Sequence, residues 1–222
     1  MRLEFRLTAS IIAQHQINVL ITLIGLPGSG KSTVGRQLAR KLSAHFVDSD
    51  QLIEQRLGCS IREFFEREGE EAFRDVEQAV LHDVVSADFA SIAPPSIDLA
   101  QEQQLVKILV LSTGGGSVLR EVNRLLLKGS GPVVYLRATP EDLYRRLRHD
   151  RNRPLLQGVD PMQRLRDLYA QRDPLYRETA SFQIETERPS VQTLVNMIVM
   201  QLELAVPGST SDQATSTEHT SQ

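Results

Sequence analysis

Apolar positions along the chain follow two spacings, and they alternate. Val19-Leu20-Ile21-Thr22-Leu23-Ile24 is a short, β-rich apolar run that predicts a strand buried on both faces. From Lys31 to Leu42 the apolar residues fall at Val34, Leu38 and Leu42, a helical period. His45-Phe46-Val47 predicts a second strand, running into Asp48-Ser49-Asp50. Short helices are expected over Leu52 to Leu57 and Ile61 to Glu68, and a longer one over Glu71 to Val85, on Val76, Ala79, Val80 and Val84. Ile108 to Leu111 predicts a buried strand that ends at Thr113-Gly114-Gly115-Gly116. A helix over about Leu119 to Leu127 leads through Gly129 to Gly131 into the strand Pro132 to Leu136. Thr139-Pro140 starts the next helix, with Thr139 as cap and Pro140 in the first turn. Helix is expected again from Pro161 to about Ala170, then a strand near Phe182 to Glu185 and a last helix over about Val191 to Leu204.

Strands alternating with helices predict an α/β fold, a parallel sheet covered by helices on both faces. Ligands of such sheets bind beyond the carboxyl ends of the strands. Three predicted strands end there in Gly-rich or acidic loops, at Gly25 to Ser32, Asp48 to Asp50 and Gly114 to Gly116. Loops of that kind on one sheet edge make an active site. Four stretches break the pattern: a leader over 1–17, a Pro-containing surface insertion over about 86–104, an Arg-rich segment from His149 to Gly158, and a Ser/Thr-rich tail over 206–222 read as disordered. The folded unit is expected over 18–205.

Composition changes this picture little. In 222 residues, 41% apolar and 24% charged positions describe an ordinary globular chain. A net charge of −3 gives no support for nucleic acid or membrane as main partner. The lone Cys59 cannot form an internal disulfide, and no apolar stretch approaches the roughly 18 residues a membrane span requires. Cytoplasm is the expected location.

The chemistry starts from Gly25-Leu26-Pro27-Gly28-Ser29-Gly30-Lys31-Ser32, a phosphate-binding loop of the G-x-x-x-x-G-K-S form, with a strand before and a helix after it. Backbone N–H groups of such a loop converge on phosphate, and the helix N-terminus adds a favourable dipole. Gly28, Ser29, Gly30, Lys31, Ser32 and Thr33 are the ATP-binding candidates. Lys31 would reach the β- and γ-phosphates and Ser32 would ligate Mg²⁺. The Ile108 to Leu111 strand ends in Ser112-Thr113 where many such proteins carry a metal-binding acid, so Asp48 is the best substitute. Asp48 and Asp50 divide the work between metal and acceptor hydroxyl, against the alternative that Asp50 or Ser49 caps the next helix.

The P-loop extended through Thr33-Val34-Gly35, together with Asp48-Ser49-Asp50, Phe73-Arg74, Gly114-Gly115-Gly116, Arg153-Pro154-Leu155-Leu156 and Arg172-Asp173-Pro174-Leu175-Tyr176, follows the order found in shikimate kinases, and the chain resembles that family from about Asn18 to Leu204. The resemblance implies a nucleoside-monophosphate-kinase-like three-layer sandwich with a mobile lid over about 148–160. It implies transfer of the ATP γ-phosphoryl group to the 3-hydroxyl of shikimate, with one Mg²⁺ per subunit. Asp50 is then the residue at that hydroxyl and Asp48 a metal ligand. Arg74 and Arg172 clamp the substrate carboxylate, for which a planar guanidinium fork is suited. Gly114, Gly115 and Gly116 border the ring, and Arg153 is the lid arginine at the ATP phosphates. Arg148 is assigned to the adenine, with Arg145, Arg146 and Arg151 as competitors, and residues near Arg188 and Pro189 border the base. ATP and shikimate are the expected partners of a monomer. Rival readings are a gluconate kinase or a nucleoside monophosphate kinase on the same sheet, an ATP-driven switch, and a non-catalytic descendant. The glycine triple with Arg74 and Arg172 favours a carboxylated ring.

Overall fold

The computed structural model describes residues 17–86, 106–147 and 160–205. Nearly all of the leader, the insertion and the lid segment, and the whole tail, lie outside these residues, and with them Arg148, Arg151 and Arg153.

Five strands form one sheet: β1 (Ile17–Ile24), β2 (His45–Asp48), β3 (Val106–Ser112), β4 (Val133–Arg137) and β5 (Phe182–Glu185). Their order is β2-β3-β1-β4-β5, and every pairing is parallel. The described helices are α1 (Lys31–Lys41), α2 (Ser49–Leu57), α3 (Ile61–Ser86), α4 (Glu121–Ser130), α5 (Pro140–Leu147), α6 (Pro161–Thr179) and α7 (Val191–Ala205).

Continuous apolar runs on the central strands serve two cores at once, because successive side chains point to opposite faces. Leu20 and Ile24 of β1, Leu109 and Leu111 of β3, and Val133 and Tyr135 of β4 pack on one face with Ile53, Phe73, Leu81, Leu127 and Leu168. Ile21 and Leu23, Val110, and Val134 and Leu136 pack on the other with Val34 and Leu38 of α1 and Leu194, Val195 and Ile198 of α7. The result is the three-layer sandwich expected.

Three elements differ from the spacing-based expectation. α6 continues to Thr179 through Pro174, where the sequence predicted an end near Ala170. Pro174 removes one backbone donor, but Leu165, Leu168, Tyr176 and Thr179 stay buried, and that packing carries the helix past the break. The two helices predicted before and after Gly69 run on as one kinked α3, with Gly69 at φ 85° and ψ 177°. α4 also extends through Gly129 to Ser130.

The register brings the unusual loops together. Asp48, at the end of β2, pairs with Ser112 of β3, and Ser112 pairs in turn with Leu23 of β1. The ends of three adjacent strands therefore lie side by side, just before the P-loop, Ser49-Asp50 and the glycine triple.

Candidate active site

The phosphate end is built almost wholly from one contiguous segment. Gly30 precedes α1 as its N-cap in the left-handed region, φ 98°, which favours glycine at that position. Lys31 is buried and donates to the carbonyls of Gly25 (2.8 Å) and Leu26 (3.1 Å), so its ammonium is held within its own loop. Ser29 is also buried, while Thr33, on the first turn of α1, is exposed.

Ser32 Oγ donates to Asp48 Oδ2 at 2.6 Å and lies 3.4 Å from Ser112 Oγ. Asp48 thus reaches the P-loop from the neighbouring strand, and Ser112 stands where a metal-binding acid is common. Asp48 also caps α2, accepting from the Asp50 backbone N–H at 3.1 Å. The alternative that Asp50 or Ser49 caps that helix is thereby removed: Asp50 lies in the first turn with its carboxylate free of that duty. Ser49 is fully buried, and its Oγ accepts from the Gly114 backbone N–H at 3.0 Å, which ties the second loop to the third.

Hard cations such as Mg²⁺ take oxygen ligands and keep several waters beside substrate phosphates. One hydroxyl and one carboxylate side by side, Ser32 and Asp48, fit that demand at the P-loop. No group of three or more His, Cys, Asp or Glu positioned for a metal occurs among the described residues.

Each residue of the glycine triple is small for a separate reason. A Cβ on Gly114 would come within 2.6 Å of Asp50 Oδ1 and 3.0 Å of Glu77 Oε1. On Gly115 it would strike Pro27 of the P-loop, at 2.6 Å, and on Gly116 it would overlap the Arg74 guanidinium. The β3–α4 loop is therefore pressed between the phosphate loop and the acidic and basic groups of the acceptor end.

Arg74 is buried on α3, with Nη1 on Glu77 Oε2 (2.7 Å) and Nη2 on Glu70 Oε1 (2.9 Å). Glu77, 1% exposed, was not singled out from sequence, although its i,i+3 spacing from Arg74 is the available signal. Arg172 approaches from α6 and donates from Nη1 to the Gly115 carbonyl at 3.0 Å. No carboxylate pairs with it among the described residues, and its buried Nε has no hydrogen-bond partner among them.

Burial dominates the electrostatics. It pushes Asp50 up to about 6, aided by the neighbouring Asp48 charge and opposed by Lys31. Burial likewise raises Glu77, against the pull of Arg74 and Arg172. For Arg74, burial weakens the cation, but Glu77 and Glu70 more than offset it and the net shift is upward. Burial lowers Arg172 and the Arg74 cation adds to that effect, while Tyr176 and Glu70 offset it only in part. A partly buried carboxylate with a raised pKa and a partly compensated arginine thus flank the same glycine loop beside the P-loop, which suits a hydroxyl acceptor carrying an anionic group elsewhere.

At the far side of the P-loop, Arg146 of α5 donates to the Ser29 carbonyl (3.4 Å), to Thr186 Oγ1 (3.3 Å) and to the Thr186 carbonyl. It links the phosphate loop to the β5–α7 connection that contains Arg188 and Pro189. Of the two described arginines on α5 considered for the adenine, Arg146 is brought to the P-loop, and Arg145 instead pairs with Asp142.

Comparison with known proteins agrees with this geometry. The shikimate kinase family model matches residues 27–93 and 98–203. A shikimate kinase of Paracidovorax citrulli is 54% identical over 186 residues, covering 83% of this chain and 92% of the relative. One of Burkholderia lata is 53% identical over 185 residues, 83% of this chain and 90% of that one. The solved shikimate kinase of Acinetobacter baumannii, in complex with shikimate, superposes with a TM-score of 0.73 at 40% identity, covering 87% of this chain and 97% of the other. With the P-loop, the Asp48–Ser32 contact and the glycine triple in place, the chain belongs to the shikimate kinase family.

Proposed function

We infer that this chain transfers the γ-phosphoryl group of ATP to the 3-hydroxyl of shikimate, giving shikimate 3-phosphate and ADP, a step toward chorismate and the aromatic amino acids. The observation that carries the residue roles is the position of Asp50, a partly buried carboxylate pushed up to about 6 beside Lys31, Asp48 and the face of Gly114.

Transfer of a phosphoryl group asks little covalent chemistry of the protein and much positioning and charge stabilisation. The P-loop N–H groups and the dipole of α1 hold the phosphates, and Lys31 neutralises charge on them. Ser32 and Asp48 would hold Mg²⁺, which neutralises charge on the β- and γ-phosphates when bound. Asp50 binds the acceptor hydroxyl and, ionised at neutral pH, takes its proton. Arg172 and Arg74 grip the carboxylate, with Glu77 and Glu70 fixing the Arg74 fork and Gly114 to Gly116 leaving room for the ring. Arg153 is assigned to the phosphates by its Arg-Pro-Leu-Leu motif. Arg148 is assigned to the adenine, and Arg146, with the β5–α7 connection, borders the same side of the P-loop. The enzyme is proposed to act in the cytoplasm as a monomer, with residues 18–205 as the catalytic unit. No described helix is long and apolar enough to cross a membrane.

Phosphorus NMR of the product formed from MgATP and shikimate tests the reaction. A phosphomonoester on the 3-hydroxyl is expected. Inorganic phosphate alone, or an ester at another hydroxyl, would overturn the inference.

A further inference from the structure

Arg172 does not hold the Gly115 carbonyl alone. Tyr176, one turn later on α6, donates its hydroxyl to the same oxygen. A carbonyl oxygen has two lone pairs, so these two donors use its full capacity. Tyr176 is fully buried, and its ring stacks on Tyr135 at 4.9 Å between centroids and 28° between planes. Tyr135 spends its own hydroxyl elsewhere, on Asp173 at 2.9 Å, so it contributes its ring and not its hydroxyl to the stack. The direction of the Tyr176 hydroxyl is therefore set by packing. Burial also holds Tyr176 far above neutral pH in its protonated form, so it stays a donor.

We propose that the Tyr176 hydroxyl is a positioning group for substrate selection, occupying the second lone pair of Gly115 so that Arg172 spends only one N–H on the loop and turns the rest of its fork to the acceptor carboxylate. Without that hydroxyl, the open lone pair attracts a second N–H of Arg172, because a partly buried carbonyl and a partly buried guanidinium each gain from another hydrogen bond. The fork then faces the loop, and the carboxylate meets a misaligned cation. Tyr176 does not touch substrate in this account. It acts through Arg172, and the inference rests on the assignment of Arg172 to the carboxylate.

Steady-state kinetics of the full chain with shikimate and with its neutral carboxamide provide the test. In Tyr176→Phe, which keeps the ring stack, KM for shikimate is expected to rise about five- to tenfold, the scale of one lost hydrogen bond. The kcat and the KM for MgATP should stay within about twofold, and the penalty should vanish with the carboxamide. Tyr135→Phe, which loses a buried hydrogen bond away from Gly115, should leave KM for shikimate unchanged. Incorporation of 4-aminophenylalanine at position 176 retains a donor and should restore it. An equal loss on shikimate and carboxamide, or the same loss in Tyr135→Phe, would assign Tyr176 to packing and overturn the proposal. An unchanged KM in Tyr176→Phe, with a raised KM in Arg172→Lys, overturns the positioning role alone. An unchanged KM in Arg172→Lys overturns the carboxylate assignment beneath it.

Discussion

The two ends of the active site are built in opposite ways. At the phosphate end, one segment of the chain supplies nearly everything, and Lys31 is anchored on carbonyls five and six residues before it. At the acceptor end, Asp50, Arg74, Gly115 and Arg172 come from α2, α3, the β3–α4 loop and α6, and they meet only through tertiary packing. Local construction makes the phosphate end tolerant of change elsewhere in the fold. The acceptor end depends on close approach, since any Cβ on the glycine triple collides with a neighbouring element or side chain.

The sharpest contrast should come from Lys31→Ala. Loss of its charge at the phosphates is expected to lower kcat by about 10³-fold or more, while equilibrium binding of shikimate stays near wild type. Weakened shikimate binding in that variant would show that the two ends are not separate.

Asp50→Asn should remove about 10²- to 10⁴-fold of kcat, the usual range for a general base. It should also stabilise the fold above neutral pH. A carboxyl whose pKa rises from 3.8 to about 6 on folding is neutral in both states only well below pH 3.8, and its stability contribution is lost as pH rises from there through about 6. At pH 8, removal of that partly buried charge is worth up to about 3 kcal/mol at about 1.36 kcal/mol per pKa unit, and most of the gain should be gone at pH 4. Thermal unfolding of both proteins at the two pH values checks the sign; a stabilisation that is larger at pH 4 contradicts it.

Gly116→Ala places a methyl group inside the Arg74 guanidinium. Displacement of that fork should raise KM for shikimate by about 10- to 100-fold with KM for MgATP unchanged, a split visible in steady-state kinetics. Arg74→Lys should act in the same direction but less, about tenfold, since an ammonium keeps charge and loses the bidentate fork. An equal rise in both KM values for either variant would mean that the acceptor end also shapes the nucleotide site.

The same contrast governs what could be read from sequence. Contiguous features were legible: the P-loop, the strand that precedes it, and the cap at Thr139, which accepts from the Asp142 backbone N–H at 3.3 Å. The Asp48-Ser49-Asp50 loop was legible, but which of its residues caps the next helix was not, because all three are capping residue types and only the fold decides among them. Propensity misled at Pro174 and Gly129, where buried helix faces outweigh a poor helix former. Ser112 and Tyr176 enter the site through partners 80 and 61 residues away, and no local pattern marks such contacts. Arg146 could not be separated from its neighbours on α5 until its contacts with Ser29 and Thr186 were visible.

The selectivity of the acceptor end is the central claim, and ADP release from MgATP tests it most directly. The purified chain should release ADP rapidly with shikimate and hardly at all with gluconate or with no acceptor. Equal or faster release with gluconate would leave the phosphate end intact and contradict the carboxylated-ring site built by Arg74, Arg172 and the glycine triple.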